Sequence, residues 1–414
     1  MRLVPLVLAL GCASAAQTAP ERRPVGAAES PRSADALRSK RGVAYHFCGL
    51  AGARGESDLR LMQEGLGWTY NWAERPHACG DGPSVEDALA RAGVEFVPMV
   101  WGLVDEGRHC ASGGPCFRVD NPGGPEACDE ACGDIFAEGE MGGPGDACWE
   151  CFHQPISRDD FAARVPEGAR WLLGFNEPNF QGQSALTPDV AARAWVHLEH
   201  VAEARGLGIV GPATNFCATG PDAPPPARCI APREGVEMVH LAWLEAFYDA
   251  CSADGVAGRD CRIDHQATHA YDCHAIAWSV DLFARKAGRS PPTEAHCASG
   301  VRDADETGVD CGGNACPACS AWARSLFERP VWLTEFAHAP WGGCEDVPPE
   351  EMRSLALDFA RRELPRLDVH PRLFRYAWFM PRVTGVLDHD DLLADDPAGG
   401  RTPLGELYLG GASR

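Results

Sequence analysis

Two short runs decide how this chain folds: WLLGFNEPN at 171–179 and PVWLTEF at 330–336. Each is a stretch of branched and aromatic residues, and a glutamate stands at or near its end, Glu177 in one and Glu335 in the other. Such runs read as buried strands. Six more stretches of the same kind flank them, GVAYHF (42–47), GWTYNW (67–72), VEFVPMVW (94–101), LGIVGPA (207–213), IDHQATHAY (263–271) and LFRYAWF (373–379). Amphipathic segments at 84–92, 188–205 and 349–364 lie between several of them. Eight strands alternating with helices predict an α/β fold, a parallel (β/α)₈ TIM barrel. In that order the two glutamates belong to the fourth and seventh strands. The C-terminal ends of barrel strands converge on one rim, so the two carboxylates face each other across a cleft.

Composition sets the limits of that reading. A hydrophobic fraction of 45% supplies an ordinary core, and 414 residues fit one barrel with insertions. Lys and Arg number 37 against 59 Asp and Glu, a net charge of −22. That field repels phosphate backbones and anionic surfaces, which argues against nucleic acid as a partner and is compatible with a neutral polymer.

Nineteen cysteines read as a disulfide framework in an oxidising compartment. The N-terminus points the same way. Met1 and Arg2 precede a short apolar run, Leu3 to Leu10, too short to cross a hydrocarbon core of roughly 30 Å and suited to an export signal. The string LALGC resembles a bacterial lipobox and makes Cys12 a candidate lipidation site and membrane attachment. Taking Cys12 from the nineteen leaves an even number for pairing. The alternative is ordinary cleavage after the small residues of ASAA. Residues 13–40, rich in Ala, Pro, Ser and Arg, read as a flexible tether before a catalytic domain at 41–414.

Two insertions interrupt the alternation. The first, at 103–155, carries Cys110, Cys116, Cys128, Cys132, Cys148 and Cys151. The second, at about 290–320, carries Cys297, Cys311, Cys316 and Cys319. Both are poor in large apolar residues, so disulfides rather than a core are expected to order them. Cys316-x-x-Cys319 reads as halves of two disulfides. The acidic run at 303–313 departs from EF-hand spacing; it reads as a solvated disulfide loop, with a calcium site as the alternative. HDDLLADD (389–396) reads as a charged surface loop.

A pair of facing carboxylates suits acetal hydrolysis. One protonates the leaving oxygen, and the other attacks the anomeric carbon or activates water. The negative charge of its partner would raise the pKa of the acid, and no metal or organic cofactor is required. Tyr70, Trp72, Trp101 and Trp378 stand at predicted strand ends, where aromatic rings can stack on pyranose faces; barrel packing is the alternative for each.

The set WTYNW, FVPMVWG, LLGFNEPN, HAY, PVWLTEFA and RYAWF resembles glycoside hydrolase family 128, β-1,3-glucan-active barrels within the clan A type of catalytic core. The resemblance implies Glu177 as general acid/base and Glu335 as nucleophile of a retaining, endo-acting enzyme. It implies Asn176 as ligand of the sugar 2-hydroxyl, and His269 and Tyr271 as groups that orient the nucleophile or touch the sugar. Asn179 departs from the Asp common at its position. The substrate partner implied is a β-1,3-glucan, met by an exported monomer. A glucan-binding lipoprotein without turnover, a hydrolase of another polysaccharide and a disulfide-rich adhesion protein remain as alternatives.

Overall fold

The computed structural model describes residues 33–410, apart from 49–52, 78–84, 105–109, 111–113, 121–146, 221, 225–226, 232–236, 291–293, 342, 384 and 397–398. Cys12 and the export segment lie outside the described residues. The strands are β1 (Arg41–Ala44), β2 (Trp68–Tyr70), β3 (Glu95–Phe96), β4 (Gly102–Leu103), β5 (Cys116–Asp120), β6 (His153–Ser157), β7 (Trp171–Leu173), β8 (Gly208–Thr214), β9 (His265–Asp272), β10 (Val331–His338) and β11 (Leu373–Phe379). Eight of them form one parallel sheet in the order β3-β2-β1-β11-β10-β9-β8-β7. Its two edges meet where Met99 bridges Leu173. There the Leu173 N–H donates to Pro98 O at 2.9 Å, and the Val100 N–H donates to Leu173 O at 3.1 Å. The fold is the predicted (β/α)₈ barrel, with all eight strands in the predicted runs.

Strand periodicity sorts the side chains into two cores. Trp68, Tyr70, Met99, Leu173, Ala267 and Trp332 are among those filling the barrel interior. Small Ala44, Ala213, Ala267 and Ala377 leave room there for the bulky rings. The alternate residues pack outward against the helices in a second, larger layer. Towards the N-terminal end, the Arg375 guanidinium lies 4.9 Å from the Trp332 ring centroid and pairs with Glu95 at 2.7 Å.

The helix Pro188–Arg205 has the predicted bounds, for local reasons. Thr187 caps it by accepting from the Val190 N–H, Pro188 opens it, and Gly206 ends it at φ +68°. By contrast, Pro349–Val369 runs past the predicted end at Leu364 and takes Pro365 into its interior. Tertiary contacts hold its last turn: Lys40 Nζ donates to Leu367 O and Asp368 O, and Arg41 pairs with Asp368.

Three expectations from sequence need correction. The end of the supposed tether is a helix, Ala34–Lys40, capped by Ser33 and pinned where Arg38 donates to Ala92 O and Gly93 O. The described part of the first insertion is ordered by apolar packing, as an extension of the outer core of the barrel. β4, β5 and β6 form an antiparallel sheet, and Phe117 is buried edge-on to Phe161. HDDLLADD is no surface loop, because Leu392 and Leu393 are fully buried and draw His389 and Asp390 inside with them.

Six disulfides join described cysteines, Cys110–Cys116, Cys217–Cys229, Cys251–Cys261, Cys273–Cys344, Cys297–Cys316 and Cys311–Cys319. Cys316 and Cys319 thus pair apart from each other. The second insertion lies on the outer flank of the barrel. There Asn314 accepts from the Leu241 N–H, and Gly313 O accepts from Lys286. Its acidic side chains accept backbone N–H groups, Asp305 from Asn314 and Asp310 from Gly300.

Candidate active site

The C-terminal rim of the barrel opens into a cleft of about 850 Å³, with Glu177 and Glu335 in its lining. Glu177 follows β7 on a backbone anchored at both sides. Its own N–H donates to Ala213 O at 2.8 Å, and the preceding Asn176 N–H donates to Trp101 O at 2.8 Å. Its φ of +40° is in the left-handed region that non-glycine residues seldom occupy. Glu335 lies within β10, beside a register shift between Leu333 and Glu335. The shift changes which residues face inward: Trp332 fills the barrel, whereas Phe336 packs outward against Tyr376 and Trp378. A bulge of this kind re-aims one side chain at the cost of local pairing.

A Glu177 oxygen and a Glu335 oxygen lie within 4.8 Å of one another, with the His269 imidazole between them. His269 Nδ1 donates to Glu177 Oε1 at 2.8 Å and stands 3.3 Å from Glu335 Oε2. Three more side chains donate to Glu335. Tyr70 and Trp72 reach Oε1 at 2.9 and 2.8 Å, and Tyr271 reaches Oε2 at 2.6 Å. Glu177 receives Asn215 Nδ2 at 2.9 Å. Asn179 holds that asparagine by donating to Asn215 O at 2.8 Å, a bond that an aspartate could not make.

Burial raises the Glu335 carboxyl above the usual range. His269 opposes the rise, the charge of Glu177 adds to it, and the bonds from Tyr271 and Trp72 oppose it. For His269 burial disfavours the charged ring, yet Glu335 and Glu177 outweigh it and raise its pKa. The site is therefore a pair of carboxyl groups bridged by the His269 ring, whose charged form both acids favour.

Asn176 lines the cleft. Its Nδ2 donates to Gln183 at 3.1 Å, and its buried Oδ1 has no partner among the described residues. Trp72 and Trp101 also line the cleft. Two of the predicted aromatics do not. Tyr70 is fully buried beneath Glu335 and acts on it through its hydroxyl. Trp378 corrects the expectation outright: it points to the helix layer beside Tyr408, and its Nε1 donates to Asp390 O. Its neighbour Phe379 faces the cleft instead.

Sequence reasoning missed Asn215, Gln183, Asp120, His46 and His153. It also missed Phe216, Trp278 and Trp341, large aromatics that are at least 38% exposed and line the cleft. Phe216 and Trp341 lie on loops and Trp278 in the first turn of the helix Ala277–Lys286, and neither periodicity nor a motif marks them.

The family profile for the glycosyl hydrolase catalytic core matches residues 149–306 and 321–408, more than half of the chain. The chain is similar to the solved structure of a family 128, subgroup II endo-β-1,3-glucanase from Sorangium cellulosum. They share 26% identity and a TM-score of 0.51 across 89% of this chain and 97% of that one. A subgroup II enzyme of the same family from Pseudomonas viridiflava is 25% identical, with a TM-score of 0.52, across 89% and 96%. Alkali-sensitive linkage protein 1 of Schizosaccharomyces pombe is 26% identical over 257 residues; the match spans 60% of this chain and 34% of that protein.

Proposed function

The chain belongs to the glycosyl hydrolase catalytic core family and is a glycoside hydrolase, and from that premise we propose that it cleaves β-1,3-glucan internally with retention of configuration. The likeness to the two family 128 endo-glucanases supports the substrate. The observation that carries the stereochemistry is the approach of the two carboxylates to within 4.8 Å. Inverting enzymes hold theirs roughly 6.5–9.5 Å apart to admit water, and retaining enzymes roughly 5–5.5 Å apart.

Glu177 donates its proton to the glycosidic oxygen as Glu335 attacks the anomeric carbon. The C–O bond to the leaving chain breaks, and a glucosyl ester of Glu335 forms. Glu177, now a carboxylate, takes a proton from water, which attacks the same carbon and releases Glu335. The donors Tyr70, Trp72 and Tyr271 fix the attacking carboxylate in place. His269 holds the two acids in register. Asn176 Oδ1 accepts the sugar 2-hydroxyl, a bond that strengthens as positive charge builds on the ring. The exposed rings of Phe216, Trp278 and Trp341 give the polymer apolar faces to lie on.

The disulfides support an oxidising compartment for the folded domain. We read the enzyme as an exported monomer, held at the envelope through a lipidated Cys12 or released after cleavage. The test of function is reducing-sugar release from laminarin, curdlan and β-1,4-glucan controls by wild type, Glu177→Gln and Glu335→Gln. Release from the β-1,3-glucans that collapses in both variants supports the reading. Binding without release would move the assignment to a glucan-binding protein, and activity surviving in the variants would remove these carboxylates from the chemistry.

A further inference from the structure

The cleft contains a third carboxylate that hydrolysis at the Glu177–Glu335 pair does not use. Asp120 ends β5 in the first insertion, outside the residues that the family profile matches, and its side chain is 17% exposed in the cleft lining. Histidines flank both of its oxygens. His46 Nε2 lies 2.8 Å from Oδ2, and His153 Nε2 lies 3.5 Å from Oδ1.

The rings around it form a wall. His46 lies against Trp72 at 5.1 Å between centroids, and Trp72 in turn donates to Glu335. His153 stacks on Trp149 at 4.1 Å and lies 4.3 Å from Trp101, both of which line the cleft. A carboxylate beside an aromatic surface is what a pyranose needs: the rings meet its CH face, and the oxygens accept its hydroxyls.

We propose that Asp120, held by His46 beside the Trp101–Trp149 pair, forms a sugar subsite in which its carboxylate accepts hydroxyls of one glucosyl unit of the bound chain. This rests on the glucan reading above and adds a ligand to it.

A purely structural role fits the surroundings less well. An aspartate that only braced the insertion would be stabilised by a firm cation, and the neighbours do not supply one. Burial holds His46 down to about 3 and lowers His153, so both are neutral near pH 7. Arg118, on the same strand, is engaged with Glu150. Burial pushes Asp120 itself up to about 7, against the opposing pull of His153. Among the described residues, the groups facing it are His46 just after β1, Tyr70 of β2 and His153 of β6, with His77 stacked behind His46. A group titrating there is charged above pH 7 and neutral below. Its bond to a sugar hydroxyl is stronger in the charged form.

The test is steady-state hydrolysis of laminari-oligosaccharides from pH 5.5 to 8.5 by wild type, Asp120→Asn and Asp120→Glu. In wild type, KM should fall as pH rises through about 7. In Asp120→Asn it should be raised about 10–100-fold at pH 8, the loss of one charge-assisted bond, and its change with pH through that range should vanish. kcat should stay within a few-fold, Asp120→Glu should restore part of the affinity, and a melting temperature at or above that of wild type shows the Asn variant folded. An unchanged KM in folded Asp120→Asn overturns the subsite and leaves the hydrolase intact. A wild type that neither cuts nor binds the oligosaccharides overturns the glucan reading and the subsite together.

Discussion

Glu335 and Glu177 face one another, but their surroundings are built differently. Glu335 is gripped by Tyr70, Trp72 and Tyr271, and its strand carries a bulge that aims it inward. Glu177 sits on a left-handed turn just past its strand and has two side-chain partners among the described residues, His269 and Asn215. A nucleophile must hold one orientation and remain ionised for attack, and several donors favour both. An acid/base must give up and regain a proton within one cycle, which a dense shell of donors would hinder. The difference in support fits the roles proposed above, nucleophile for Glu335 and acid/base for Glu177.

The sharpest way to break that comparison is to neutralise each carboxylate in turn. Glu335→Gln should lower kcat by at least about 10⁴-fold on every substrate, because the covalent route closes. Glu177→Ala should lower it by roughly 10²–10⁴-fold on glucan. For an aryl glycoside with a good leaving group the loss should be much smaller, and azide should restore turnover as a β-glycosyl azide. Azide rescue of a Glu335 variant as the β-azide would reverse the roles.

The donors around Glu335 come next. Removing the Tyr271 hydroxyl takes away a bond that favours the ionised acid, so the pKa of Glu335, already above the usual range, should rise further. The sign follows: the acid limb of the kcat/KM profile, where activity grows as Glu335 loses its proton, should move to higher pH in Tyr271→Phe. kcat should fall roughly 10²-fold. An unmoved limb would mean that a different group sets it. Asn215→Ala, which removes a donor to Glu177 and none to Glu335, should cost less, on the order of 10-fold, and leave that limb in place.

The smallest effect on catalysis should come from the Cys273–Cys344 disulfide, which links the segment after β9 to the one after β10. Replacing both residues with Ser should lower stability by about 2–4 kcal/mol in chemical denaturation and leave kcat near wild type. A large fall in kcat would show that this link positions Tyr271 as well as bracing the rim.

Much of this was legible in the sequence because strands declare themselves. Glu177 and Glu335 stand in or just beyond runs whose apolar pattern marks them as strands, barrel geometry brings such residues together, and the family resemblance added His269 and Tyr271. The failure at Trp378 has the same origin. Side chains alternate along a strand, so a shift of one residue moves Trp378 to the helix layer and Phe379 to the cleft. The bulge in β10 could not be read either, because it arises from pairing with β9 rather than from local composition. Asp120, His46 and His153 were invisible for a third reason. They come together only when an insertion folds back over the rim, and nothing in their spacing records that contact. The buried HDDLLADD segment shows the converse: its charges suggested exposure, while two leucines decided its place.

The most direct test of the two roles is to trap the intermediate. Wild type incubated with an activated 2-deoxy-2-fluoro-β-glucoside or its laminaribiosyl analogue, then digested and sequenced by mass spectrometry, should carry one glycosyl group on the peptide containing Glu335. A label on Glu177, or turnover of glucan to the α-anomer with no label on either residue, would contradict the account.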